Sequence, residues 1–160
     1  MNKSQLPAAQ KEAIGMLLDD HRNVKKLFKD FEKESDARAK EKLVREACTE
    51  LKVHTRLEEE LFYPALRDMD PKAFGKLLDE AVVEHATAKD LIAQLEDAVP
   101  GDKLHDAKFI VLGEYVNHHV KEEETELFPK IGDKHLDLRS LGMQMKERRE
   151  ELMAELQAEA

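Results

Sequence analysis

Cysteine is almost absent from this sequence. Cys48 stands alone, so no internal disulfide can form, and a reducing cytoplasm is the natural setting. Cys48 itself is expected to be a small buried apolar side chain rather than a reactive thiol. There is no tryptophan, aromatics make up only 5% of the residues, and glycine and proline number six and five. Such a composition argues against a strand-rich sandwich or barrel. Long hydrophobic runs are missing too. No stretch approaches the roughly 18 apolar residues needed to cross a membrane, and the opening MNKSQLPAAQKEAIGMLLDD lacks the apolar centre of a signal peptide. Positive charge is outnumbered, with 26 Lys and Arg against 35 Asp and Glu, so the formal net charge is -9. That balance suits neither nucleic acid nor an anionic lipid surface as a partner.

What is abundant is Ala, Leu, Glu and Lys, the residues of long helices, in a chain of 160 residues that can bury one sizeable core. Five helical segments follow from the spacing of apolar residues. The first runs from about Pro7 to Glu34, carrying Ile14, Leu17, Leu18, Val24, Leu27, Phe28 and Phe31. Ser35-Asp36 caps a second, to about Arg67, with Leu43, Ala47, Leu51, His54, Glu58, Leu61 and Phe62 inward, and Pro64 is expected to kink or end it. Asp70-Pro71 opens a third, to about Ala98, and Val99-Pro100-Gly101-Asp102 is the clearest break in the chain. A fourth runs to about Ile131, with Gly132 as its expected C-terminal cap. A fifth, at about 136–158, carries Leu138, Leu141, Met145, Leu152 and Leu156. Short loops between long helices give an all-α, up-down-up-down four-helix bundle over about residues 7–131, plus the C-terminal helix, in one domain spanning 1–160. The fifth helix is expected either to cover an end of the bundle or to pair with another chain as an oligomer.

The chain also repeats itself. HRNVKKLFKDFE from His21 is echoed by HATAKDLIAQLE from His85, and HTRLEEELFYP from His54 by HVKEEETELFP from His119. These pairs read as a duplicated helical hairpin with a one-residue slip. Residues four apart share a helix face, about 6 Å apart along the axis. His54 with Glu58, and His119 with Glu123, can therefore reach into one space, and His21 and His85 add an imidazole from each remaining helix. Two metal ions bridged by two carboxylates need such a layout.

The energetics are more telling than the spacing. Glu58 lies between Leu51 and Phe62 on an apolar stripe, and Glu123 between Val116 and Leu127. A buried carboxylate without a partner costs several kcal/mol, and no Lys or Arg falls on those stripes to meet either one. A lone HxxxE is common in helices; the conjunction of four histidines, one per helix, with two HxxxEE segments carries the argument. His118 points about 100° away from His119. Glu58 and Glu123 each lie six residues before a proline, Pro64 and Pro129, a register that selects His119 with Glu123 over His118 with Glu122. His105 and His135 fall near segment ends and are expected to face solvent. Mixed imidazole and carboxylate donors suit Fe, with Mn or Zn as alternatives.

DDHRNVKKLF, HTRLEEELFYP, VEHATAKDLI and YVNHHVKEEETELFPK, spread over about residues 10–131, together resemble the hemerythrin-like, or HHE cation-binding, domain. The resemblance implies two non-haem Fe ions with a bridging oxo or hydroxo group, held by His21, His54, Glu58, His85, His119 and Glu123. It implies dioxygen or another small diatomic or peroxide as the ligand. One departure stands out: the oxygen carriers of the family place two histidines one turn apart on the third helix, whereas His85 has Ala81 before it and Lys89 after it. Sensing, storage, iron handling, or consumption of hydrogen peroxide or nitric oxide then become alternatives to carriage. A third reading makes the chain a helical interaction protein with a structural metal. No cysteine-bearing module or signalling domain is expected from the sequence.

Overall fold

The computed structural model describes residues 1–98 and 102–159. The first three residues of the expected break, 99–101, lie outside that range. Four long helical rods form the bundle. The first is α1 (Ala8–Lys33). The second is α2 (Ala37–Leu57), which passes through a π-helical turn (Glu58–Phe62) into α3 (Tyr63–Met69). The third is α4 (Pro71–Glu96). The fourth is α5 (His105–Glu122), continued by a second π turn (Glu123–Leu127) and α6 (Phe128–Asp133). α7 (Arg139–Glu159) is the additional helix, and no strand occurs among the described residues.

The caps are where the sequence placed them. Asp36 accepts from the Ala39 amide and Asp70 from the Ala73 amide, each at the start of a helix. One expectation is narrowed and one needs correction. Of the kink or end expected at Pro64, no end occurs: a π turn interrupts the α-helix directly before the proline and the rod continues to Met69, close to the limit expected near Arg67. In that turn the Tyr63 amide bonds to Glu58 O, five residues back, and Phe128 does the same to Glu123 O before Pro129. Proline has no amide to give and crowds the carbonyl four residues behind it, so a widened turn absorbs it without a break. Nor does Gly132 cap the fourth rod. α6 runs on to Asp133, and the reversal is made by His135 at φ 52°.

The rods bury two apolar layers. One gathers Ile14, Leu17, Phe62, Phe74, Leu127 and Phe128 at one end; the other gathers Val24, Leu51, Phe109, Leu112 and Val116. The four histidines and two glutamates lie between them. α7 packs against α1 and α2, setting Leu152 against Val53 and Leu57 in a small third cluster. Its Gly142 lets the backbones approach, since a Cβ there would sit 3.0 Å from the Ala13 amide nitrogen. Of its methionines, Met145 is fully buried, Met153 packs partly buried against the third cluster, and Met143 is exposed. Cys48 is buried, and burial pushes its thiol up to about 12, as expected of an inert side chain. No helix among the described residues is long and apolar enough to cross a membrane.

Candidate metal centre

Each rod brings one histidine to the level of the two π turns. His21, His54, His85 and His119 are all buried, and Glu58 is 0% and Glu123 2% exposed. The structure turns His119 inward and leaves the His118 side chain 63% exposed, the choice the proline register made. His135 is exposed as expected, but His105 is only half-exposed, because it opens α5 beside Asp106.

The six inward residues form two groups. One is His21, His54 and Glu123; the other is Glu58, His85 and His119. Both carboxylates touch both groups. Glu58 Oε1 lies 3.2 Å from His54 Nε2 and 3.1 Å from His85 Nε2. Glu123 places Oε1 3.1 Å from His21 Nε2 and Oε2 3.5 Å from His119 Nε2.

The outer nitrogens explain why these rings point inward. His21 Nδ1 lies 2.9 Å from Glu124 Oε2, and His54 Nδ1 2.9 Å from Asp20 Oδ2. His85 Nδ1 lies 3.0 Å from Glu59 Oε2, and His119 Nδ1 3.3 Å from Glu84 Oε1. A carboxylate only accepts, so every Nδ1 is the donor. In a neutral ring that fixes the tautomer and leaves the Nε2 lone pair facing the centre. The pattern obeys the repeat. The second Glu of each HxxxEE motif holds a histidine on a rod of the other hairpin, Glu59 on His85 and Glu124 on His21. The acid before each first-motif histidine, Asp20 or Glu84, holds the HxxxE histidine of its own hairpin. Three of these four carboxylates are themselves met by a cationic group. Lys89 Nζ lies 2.6 Å from Glu59, the N-terminal ammonium lies 3.3 Å from Glu124, and Arg149 of α7 bonds to Asp20.

This inner arrangement is satisfied by a cation and by little else. Neither oxygen of Glu58 has a hydrogen-bond partner, although imidazole nitrogens lie within ion-pair distance of Oε1; the distances are met and the alignment is not. His85 Nε2 and His119 Nε2 face each other at 3.1 Å, where at most one proton fits between two lone pairs. Without metal, protons take the cation's place. Burial opposes a charge on His54, but Glu58 and Asp20 outweigh it and raise the ring to about 10. His119 is raised against burial by Glu123, Glu58 and Glu84, and His21 and His85 are raised by their own carboxylates. Burial would push the Glu58 carboxyl up, yet His54 and the other partners hold it well below the ordinary range.

One residue breaks the two-fold pattern. Tyr63 and Phe128 are equivalent in the repeat, each just before a proline. Phe128 stacks on His21 and Tyr63 on His85, with ring centroids 6.0 Å and 5.5 Å apart. Only Tyr63 carries a hydroxyl. It donates to Glu123 Oε2 at 2.7 Å and lies 3.2 Å from His119 Nε2. Burial, with Glu123 and Glu58 nearby, pushes this phenol well above its usual range. The sequence reading passed over Tyr63, though the aligned motifs LFYP and ELFP contain the difference. Beside the imidazoles a cavity of about 30 Å³ is roofed by Leu51 and Val116, room for about one water-sized molecule.

A profile of the hemerythrin HHE cation-binding domain matches residues 12–131. Among solved structures, the chain is similar to a hemerythrin HHE cation-binding domain-containing protein from Mycobacterium kansasii. That match has a TM-score of 0.73 at 26% identity, covering 89% of this chain and 88% of the other. No curated protein sequence matches.

Proposed function

Because the chain belongs to the hemerythrin HHE cation-binding domain family, we propose that it is a non-haem di-iron protein that binds dioxygen or a related small oxidant. His21, His54 and Glu123 would hold one ion, and Glu58, His85 and His119 the other, with both carboxylates shared. The observation that supports this most is the set of four imidazoles, each pinned by a carboxylate on Nδ1, converging on a buried carboxylate with no hydrogen bond of its own. An iron pair bound there supplies reversible electron exchange with dioxygen or peroxide. The chain does the rest. Leu51 and Val116 keep bulk water from the cavity, the outer carboxylates fix the rings, and the cavity admits only a small ligand. Anaerobic iron reconstitution followed by metal analysis and an optical spectrum in air is the direct test. Two irons per chain with near-ultraviolet bands of a bridged ferric pair are expected; fewer than one iron per chain ends the reading.

Tyr63 refines the proposal. Its group lacks the extra histidine of the oxygen carriers, because Ala81 stands one turn before His85. The Tyr63 oxygen lies beside that group, 3.5 Å from His85 Nε2 and 3.2 Å from His119 Nε2. A bound cation inverts the local preference for a neutral phenol, so Tyr63 is read as an oxygen donor to that ion. Ferric protein should then show a visible phenolate-to-iron band that Tyr63→Phe lacks while keeping its iron. Identical spectra would leave Tyr63 a hydrogen-bond donor to Glu123. The same hydroxyl favours a second reading, a di-iron enzyme that consumes hydrogen peroxide or nitric oxide, since it holds a proton at the centre on Oη. Multiple turnovers of peroxide in wild type, lost in Tyr63→Phe, would establish it.

α7 also enters the proposal through Arg149. Arg149→Met removes the cation on Asp20 and loosens the acceptor that holds His54 Nδ1. Losing such a support typically weakens metal binding about 10-fold or more. Competition with a chelator indicator is the measurement, and unchanged affinity would confine α7 to packing.

A further inference from the structure

His118 and Glu122 take no part in the buried groups, yet they do not stand alone. His118 Nε2 lies 3.0 Å from Glu122 Oε1 and 3.4 Å from Glu84 Oε2. Glu84, His118 and Glu122 each place one ligand-type atom within 4.8 Å of the other two. Three donor atoms of metal-ligand type thus converge at the surface. Glu84 faces two ways: its Oε2 looks to His118 and its Oε1 lies 3.3 Å from Nδ1 of the buried His119. It also lines the 30 Å³ cavity together with half-exposed Tyr115, so cluster and cavity are joined by one side chain.

The other hairpin shows what this face looks like when it is closed. The repeat places Asp20, Val53 and Leu57 where the second hairpin has Glu84, His118 and Glu122. Val53 and Leu57 are 1% and 0% exposed, pressed against Leu152 of α7, and Asp20 is bonded to Arg149. Apolar residues and a helix seal one side; a histidine and two carboxylates face solvent on the other. A purely solvated surface needs no such convergence of imidazole and carboxylates around the outer support of His119.

We propose that Glu84, His118 and Glu122 form a surface site for a first-row divalent cation, and that ions pass from it along Glu84 to the buried groups. Mixed imidazole and carboxylate donors suit Fe²⁺, Mn²⁺, Co²⁺ and Zn²⁺ alike. Three donors at an exposed position leave coordination places to water, which makes the site weak and its ion exchangeable. The passage to the interior rests on the metal reading of the buried groups; the surface site does not.

The test is a calorimetric titration of metal-free protein with Co²⁺, with stopped-flow absorbance to follow filling. Wild type is compared with the double variant His118→Ala, Glu122→Gln. Both positions are solvent-exposed or partly so, and circular dichroism checks that the variant keeps its helices. Wild type should take two ions tightly and a third weakly. The variant should keep the two, lose the third, and fill about 10-fold more slowly, since one of the two carboxylate charges that concentrate cations at the mouth is gone. Equal stoichiometry and equal filling rates would overturn the proposal. Loss of the weak ion with no change in rate would overturn the passage alone. A single weak ion in wild type, absent from the variant, would uphold the surface site and refute the reading of the buried groups.

Discussion

Replacing Glu58 by leucine is expected to abolish two-ion binding and to destabilise the metal-free protein at neutral pH. Glu58 is fully buried, and its Oε1 lies 3.2, 3.1 and 3.6 Å from Nε2 of His54, His85 and His119. Removing one partner of a buried ion pair leaves the other uncompensated, at a cost of about 3–5 kcal/mol. His54 would keep only Asp20, on Nδ1, as a counter-charge. A metal-free variant that melts with wild type or above it would show that the imidazoles carry no charge for Glu58 to meet. The measurement is metal content together with melting temperature, with and without chelator. Full metal retention in Glu58→Leu would remove the carboxylate-bridged centre from consideration.

The second large effect is a stability that depends on pH only when metal is absent. His21, His54, His85 and His119 all have folded-state pKa values above the ordinary histidine value, His54 at about 10. Below about pH 6.5 the unfolded chain also carries these protons, so the full stabilisation is present. As pH rises from about 6.5 towards 10, His54 of the unfolded chain loses its proton while the folded ring keeps it, and stability falls by about 1.4 kcal/mol per pH unit from this residue. His21, His85 and His119 change stability in the same direction. In acid the sign reverses. Glu58, Glu59, Glu84 and Glu124 sit below the usual carboxylate range, so their contribution is present above about pH 4.5 and is lost as pH falls. Metal-free protein is therefore expected to be most stable between about pH 4.5 and 6.5. Metal displaces the protons, so its binding strengthens with pH. The gap in melting temperature between loaded and metal-free protein should widen from pH 6 to pH 9. A metal-free melting temperature that stays flat over that interval would show that the imidazoles are neutral and would refute the proton-filled centre.

The inner residues of the site were legible because each signal is local. His54 with Glu58, and His119 with Glu123, share a helix face by spacing alone, and apolar neighbours revealed that face as buried. The supports were not legible, because each acts between rods. Glu59 reaches His85 and Glu124 reaches His21 across the bundle, and nothing in EEE or EEET says which acid turns towards a distant helix. Arg149 on Asp20 depends on where α7 lies, and its apolar spacing fixed only that it packs somewhere. Of the kink or end expected at Pro64, the end fails for a different reason. Rules for proline presume an α-helix, and here the turn ahead of it is wider.

Those two wide turns carry a consequence for engineering. Each adds one residue without adding a full turn, so side chains beyond it lag those before it by about 100°. Upstream, Leu51 and Val116 are aimed into one layer; downstream, Leu66 and Ile131 are aimed into the other. The chain thus meshes like two gear trains cut at different phases and coupled at Glu58 and Glu123. Excising one residue from either turn would bring that rod into step and swing its lower half out of mesh. Length at these two places, more than side-chain identity, is what the scaffold cannot trade away.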